Sequence, residues 1–123
     1  MVRRDTPEGR VKAACLRYLD RRGITAWNNP TGAVKVRPGQ WLHFGKKGSA
    51  DILGYLPGGR FLAVEVKAPD GRLTTEQRKF LEDIRGLGGL ALVIRDWREL
   101  DPALRGAGYA AGEMTLFECY GSV

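Results

Sequence analysis

The stretch that decides the fold runs Gly48-Ser49-Ala50-Asp51-Ile52-Leu53-Gly54-Tyr55-Leu56-Pro57-Gly58-Gly59-Arg60-Phe61-Leu62-Ala63-Val64-Glu65-Val66-Lys67. Asp51 to Leu56 and Phe61 to Lys67 are strand-like runs, and Pro57-Gly58-Gly59-Arg60 between them is a strong turn signal. The pair therefore reads as a β-hairpin. Side chains alternate along a strand, so Leu62, Val64 and Val66 share one face, and Phe61, Ala63, Glu65 and Lys67 share the other. A hairpin sets the start of its first strand beside the end of its second. Asp51 is therefore expected next to Glu65 and Lys67 at one sheet edge, where Ala68-Pro69-Asp70-Gly71 breaks the strand.

Downstream, Thr75 to Leu87 predicts a helix with Phe80, Leu81, Ile84 and Leu87 as its apolar stripe, and Thr74-x-x-Gln77 matches a capping box. Gly88-Gly89 leads into Leu90-Ala91-Leu92-Val93-Ile94, a continuous apolar run of the kind that forms a buried strand. A helix followed by such a strand suggests a parallel crossover onto the hairpin. Asp96 to Leu104 predicts a short helix, and Met114 to Tyr120 an edge strand containing a buried Cys119. Upstream, Pro7 to Arg22 predicts a helix capped by Asp5 or Thr6. Its core stripe is Val11, Ala14, Cys15, Tyr18 and Leu19, and Gly23 follows it. Ile24 to Trp27, Ala33 to Val36 and Trp41 to Phe44 read as short strands. The core order is α-β-β-β-α-β: an α/β fold with a mixed β-sheet flanked by helices.

The sheet-edge cluster has a chemical use. Two adjacent carboxylates repel unless they share a proton or a cation. A hard divalent ion such as Mg²⁺ prefers carboxylate, carbonyl and water oxygens, so Asp51, Glu65 and the Val66 carbonyl form a candidate ligand set. Such an ion can activate water toward a phosphodiester, with Lys67 orienting the water or stabilising the transition state. Blander readings exist for each residue. Asp51 can be a strand-start cap. Glu65 and Lys67 can be an exposed polar pair, worth under ~1 kcal/mol. Gln77 lies on the buried stripe of its helix and is either spent in the capping box or aimed at Lys67. Glu8 is either a first-turn acid favoured by the helix dipole or a third acid facing the cluster.

The 123 residues carry a net charge of +6. Residues 1–60 hold 12 Lys/Arg against 4 Asp/Glu, and residues 61–123 hold 8 against 10. A basic half beside a near-neutral one is expected of a chain that meets polyanions. Lys46 and Lys47, just before the Asp51 strand, are the foremost candidates for phosphate contacts. Lys35, Arg37, Arg3 and Arg4 follow. Trp27, Trp41 and Tyr55 can stack on bases, but aromatic residues beside strands are more often core. His43, the only histidine, rules out a metal site built from several histidines. No apolar run approaches a bilayer span. Two distant cysteines suggest neither a disulfide framework nor a zinc site, so a single cytosolic domain over 1–123 with reduced thiols is expected.

Taken together, Gly48-x-x-Asp51, Glu65-Val66-Lys67 and Gln77 at a helix start resemble the PD-(D/E)xK nuclease superfamily. More closely, residues from about 7 to 97 resemble a stand-alone VRR-NUC domain of the small kind found in bacteriophages and bacteria. The resemblance implies a restriction-endonuclease-like core and Mg²⁺- or Mn²⁺-dependent phosphodiester hydrolysis. It carries Asp51 and Glu65 over as metal ligands, Lys67 as the catalytic lysine, Gln77 as the residue completing the site, and Glu8 as the acid of the first helix. It also implies a homodimer acting on branched DNA such as four-way junctions. The sequence departs from the pattern at Ala50, where proline is usual. A nuclease-like fold that only binds nucleic acid is the alternative.

Overall fold

The computed structural model describes residues 6–109. In chain order the elements are α1 (Pro7–Arg21), β1 (Thr25–Asn28), β2 (Gly32–Arg37), β3 (Gln40–Phe44), β4 (Ile52–Leu56), β5 (Arg60–Val66), α2 (Thr75–Gly86), β6 (Leu90–Ile94) and α3 (Leu100–Gly106). A turn of 3₁₀ helix, Trp97–Glu99, leads into α3. The strand expected at Met114 to Tyr120 lies outside the described residues, as does Cys119.

The main sheet has the order β1-β4-β5-β6. β1 and β5 flank β4 antiparallel, and β6 runs parallel to β5 after the α2 crossover. This is the expected mixed sheet. β2 and β3 stand apart as a two-stranded hairpin inserted between β1 and β4. With it set aside, the order is the α-β-β-β-α-β read from the sequence.

Alternation along β5 sends its side chains into two layers. Leu62, Val64 and Val66 pack with Ile52 and Leu56 against Cys15, Tyr18 and Leu19 of α1 and Leu100 and Leu104 of α3. Ala63 faces the other way and packs with Ala91 against Leu81 of α2. The sheet is thus covered on both sides, which positions its open end. Truncating a fully buried leucine in such a core costs about 2–5 kcal/mol. The small side chains Ala63 and Ala91 let α2 sit low over β5 and β6.

α1 begins as its sequence dictates. The Thr6 hydroxyl accepts the Gly9 N–H at 3.0 Å, and Pro7 occupies a position where no N–H is needed. Two expectations fail. Leu87 is not part of the α2 stripe: the helix stops at Gly86, and Leu87 is 87% exposed. Trp27, Trp41 and Tyr55 are exposed rather than core. α2 is 12 residues long, and among the described residues every position of the β2–β3 hairpin is exposed. Among the described residues, no helix is long and apolar enough to cross a membrane.

Candidate active site

The site forms where β4 begins and β5 and β6 end. The β4–β5 register places Ile52 opposite Val64, so Asp51 falls opposite Glu65 one step on. The carboxylate of Asp51 accepts the Val66 N–H through Oδ2 at 2.8 Å, and Glu65 Oε1 accepts the Asp51 N–H at 3.3 Å. Glu65 Oε2 stands 3.5 Å from Lys67 Nζ. Each acid is thus fastened to the other's strand. Glu65 is only 3% exposed, so the reading of Glu65 and Lys67 as a surface pair is wrong. A carboxylate buried this deeply is costly to ionise. Burial, with the Asp51 charge adding to it and Lys67 working against both, pushes the Glu65 carboxyl up to about 7.

Two further devices hold the cluster. Glu8, in the first turn of α1, accepts the Ala68 N–H through Oε1 at 2.9 Å, which ties α1 to the break after Lys67. Arg95 donates to the Ala68 carbonyl from the other side and to the Pro69 carbonyl at 3.3 Å. Lys67 directly follows β5, and Arg95 directly follows its parallel neighbour β6. The Lys67 N–H closes the ladder on the Ile94 carbonyl at 3.0 Å.

The segment before Asp51 is fixed by Asn29. Its side-chain amide donates to Ser49 Oγ at 2.8 Å and to the Ala50 carbonyl at 2.9 Å, while its N–H donates to the Asp51 carbonyl at 2.7 Å. These bonds hold the backbone at the position where the motif usually has proline and this chain has Ala50. The motif glycine also has a structural reason. Gly48 has φ +83°, and a Cβ there would lie 2.7 Å from the Glu76 carbonyl carbon. Only glycine lets this loop lie against the first turn of α2.

Gln77 performs the local task. Its Oε1 accepts the Thr74 N–H at 2.9 Å, and the Thr74 hydroxyl accepts the Gln77 N–H at 3.1 Å, so both halves of the capping box are made. The structure does not join Gln77 to Lys67 by a hydrogen bond. Lys47 pairs with Glu76 at 3.6 Å at a highly exposed position, Lys46 is exposed in the same loop, and Lys35 and Arg37 ride on the separate hairpin.

A cavity of about 120 Å³ opens at the cluster, lined by Thr6, Glu8, Gly9, Lys12, Asp51 and Val66. Asp51 and Glu8 each spend one carboxylate oxygen on a backbone N–H, and both line this space. Two carboxylates, a neighbouring main chain and room for water suit a hard divalent cation, which keeps several waters when bound. Asp51 and Glu8 are the residues that would hold it first. Glu65 does not line this cavity, though each of its oxygens makes one contact and keeps a lone pair; among the described residues no three acids, cysteines or histidines already stand in a metal-holding group. Lys12, which sequence reasoning passed over, lines this cavity and also an adjoining cleft of about 720 Å³ between α1 and the turn after β1. Its position one turn after Glu8 was the available signal.

Comparison with known proteins adds one finding. The VRR-NUC domain model matches residues 8–97, which contain every element of the cluster. No curated protein and no solved structure matches the chain.

Proposed function

The chain belongs to the VRR-NUC domain family, a nuclease-like family, and from that membership we propose that it is a Mg²⁺- or Mn²⁺-dependent endonuclease of the PD-(D/E)xK type that cuts branched DNA. The observation that carries the reading is the linked set Asp51–Val66–Glu65–Lys67, in which a buried acid holds a lysine at the open end of parallel strands. A bound divalent ion supplies water of lowered pKa and a positive charge for the phosphodiester. The chain supplies the rest. Asp51 and Glu8 face the cavity, and the Val66 N–H fixes the Asp51 rotamer. Glu65 keeps Lys67 Nζ at the sheet edge, where the ammonium meets the charge that develops on the phosphate oxygens. Asn29, Gly48 and the Gln77 capping box hold the three motif segments in register.

Symmetric cutting of a four-way junction needs two sites related by a two-fold axis, so a homodimer is part of the reading. So are a phage or bacterial setting and a cytoplasmic location, in keeping with the buried free thiol of Cys15. One observation favours the alternative, a module that only binds nucleic acid: Glu65 is not among the residues lining the cavity, and among the described residues no group of three acids stands ready to hold a metal.

The deciding experiment sets a labelled four-way junction, a flap and a linear duplex side by side with Mg²⁺, Mn²⁺ or EDTA, for the wild type and Lys67→Ala. Metal-dependent cutting of the junction in symmetric strand pairs, lost in Lys67→Ala, is expected. Binding without cutting by either protein moves the reading to the alternative. Light scattering of the same samples reports the dimer.

A further inference from the structure

Beyond the carboxyl ends of β5 and β6 lies a second cavity, of about 580 Å³, lined by Gly71, Arg72, Leu73, Arg78, Val93 and Arg95. Three guanidinium-bearing residues and no acid face one space. Arg95 is committed to the Ala68 and Pro69 carbonyls. Arg72 and Arg78 are exposed, and neither makes an ion pair or a side-chain hydrogen bond among the described residues. The charges i and i+4 on α2 are handled differently: Lys79, next to Arg78, is neutralised by Asp83 at 3.2 Å. The cavity adjoins the cluster. Gly71 donates its N–H to Ala68 at 2.9 Å, and a Cβ on Gly71 would stand 3.5 Å from Lys67 Cδ.

We propose that this arginine-lined cavity binds the sugar–phosphate backbone of the DNA strand next to the phosphate that is cut, with Arg72 and Arg78 as its phosphate contacts. The proposal rests on the nuclease reading for the identity of the polymer. Its chemistry stands on the cavity itself. Guanidinium forks match phosphate oxygens bidentately, and unpaired arginines sharing one concavity have no intramolecular anion to satisfy them. A strand lying across Lys67 meets this cavity next, and open α/β sheets place their ligands outside the carboxyl ends of the strands.

The test is DNA binding by fluorescence anisotropy in EDTA, where nothing is cut, on a labelled four-way junction over a series of salt concentrations. Wild type, Arg72→Gln, Arg78→Gln, the double variant and Lys79→Gln are compared. Each arginine removed is expected to lower the slope of log K against log[salt] by about one, and the double variant to bind about tenfold or more weakly at fixed salt. Lys79→Gln, the charge-loss control, is expected to leave the slope unchanged. Arg72→Lys/Arg78→Lys keeps the charges and is expected to recover most of the slope, so a fold defect in the glutamine variants is separable by this pair and by thermal melting. An unchanged slope in the double variant, or an equal loss in Lys79→Gln, overturns the proposal. Inorganic phosphate that competes with DNA in the wild type only at concentrations that also act on the double variant overturns it too. If cutting depends on Lys67 while the slope ignores Arg72 and Arg78, the cavity assignment falls alone. If the slope responds to them and no substrate is cut, the nuclease reading falls alone. A wild type that binds no DNA removes both.

Discussion

Glu65→Gln in metal-free protein tests the electrostatic state of the cluster directly. Glu65 is 3% exposed, and burial with the adjacent Asp51 charge raises its carboxyl from the ordinary 4.5 to about 7. The unfolded chain sheds this proton near pH 4.5 and the folded chain holds it to about pH 7. Between those values the folded state binds more protons, so rising pH lowers stability; above pH 7 the loss is complete. At 1.36 kcal/mol per unit, the penalty is about 3 kcal/mol. Glutamine removes the charge and still offers an acceptor to the Asp51 N–H, and the attraction to Lys67 that it gives up is already contained in the net shift. In EDTA at pH 8 the variant is therefore expected to be more stable than wild type by about 3 kcal/mol, or about 12 °C in Tm at roughly 4 °C per kcal/mol. At pH 4 the two differ little, because wild-type Glu65 is then neutral in both states. Other titrating groups are common to the two proteins and cancel in the difference. Urea melts from pH 4 to 8 measure it. A variant less stable than wild type by the same amount at every pH would refute the burial penalty. Added Mn²⁺ is expected to raise the wild-type Tm more than that of the variant, because a cation beside Asp51 offsets the repulsion that the variant has already lost.

Gly48→Ala forces a side chain into positive φ against the Glu76 main chain and is expected to cost about 2–4 kcal/mol in urea unfolding, with cutting reduced as the Asp51 loop moves. Gln77→Ala is expected to lose about 1 kcal/mol with the capping box, and Gln77→Glu to restore it; cutting that follows stability across the two assigns Gln77 to the helix start, whereas cutting lost in both variants assigns it to the reaction. The Cys15 thiol, fully buried and pushed up to about 12 by burial, then by Asp96 and Glu99, is expected to stay unmodified by iodoacetamide at pH 8 and to react once urea unfolds the chain, as read by peptide mapping.

The register of the central hairpin was legible because its turn is short and punctuated. Once Tyr55 and Phe61 are paired across Pro57-Gly58-Gly59, the meeting of Asp51 with Glu65 follows by counting. The faces of β5 were legible for the same reason. What alternation could not convey is depth. It places Glu65 and Phe61 on one face, yet Glu65 is buried and Phe61 is 38% exposed. Depth is a matter of tertiary packing, which alternation does not carry. Trp27 and Tyr55 were misjudged on the same ground, and Leu87 because an apolar residue at helical spacing was counted past Gly86. The β2–β3 strands were read correctly, but nothing in their pattern says that they leave the main sheet.

Charge was the least transferable signal. Counted along the chain, the basic half ends at Arg60, and that count directed attention to Lys35, Arg37, Lys46 and Lys47. Space is organised otherwise. Arg72, Arg78 and Arg95 belong to the half with net negative charge, yet several acids of that half are paired with other cations: Asp83 with Lys79, Asp96 with Arg98, Asp101 with Arg22 and Arg105. A polyanion responds to the local field within about a Debye length, ~8–10 Å at moderate salt, and not to the sum over a segment. Pairing inside these sets leaves Arg72 and Arg78 without an ion pair among the described residues. The near-neutral half of the chain therefore supplies Lys67 and the adjoining cationic cavity together, because both follow from where two parallel strands stop.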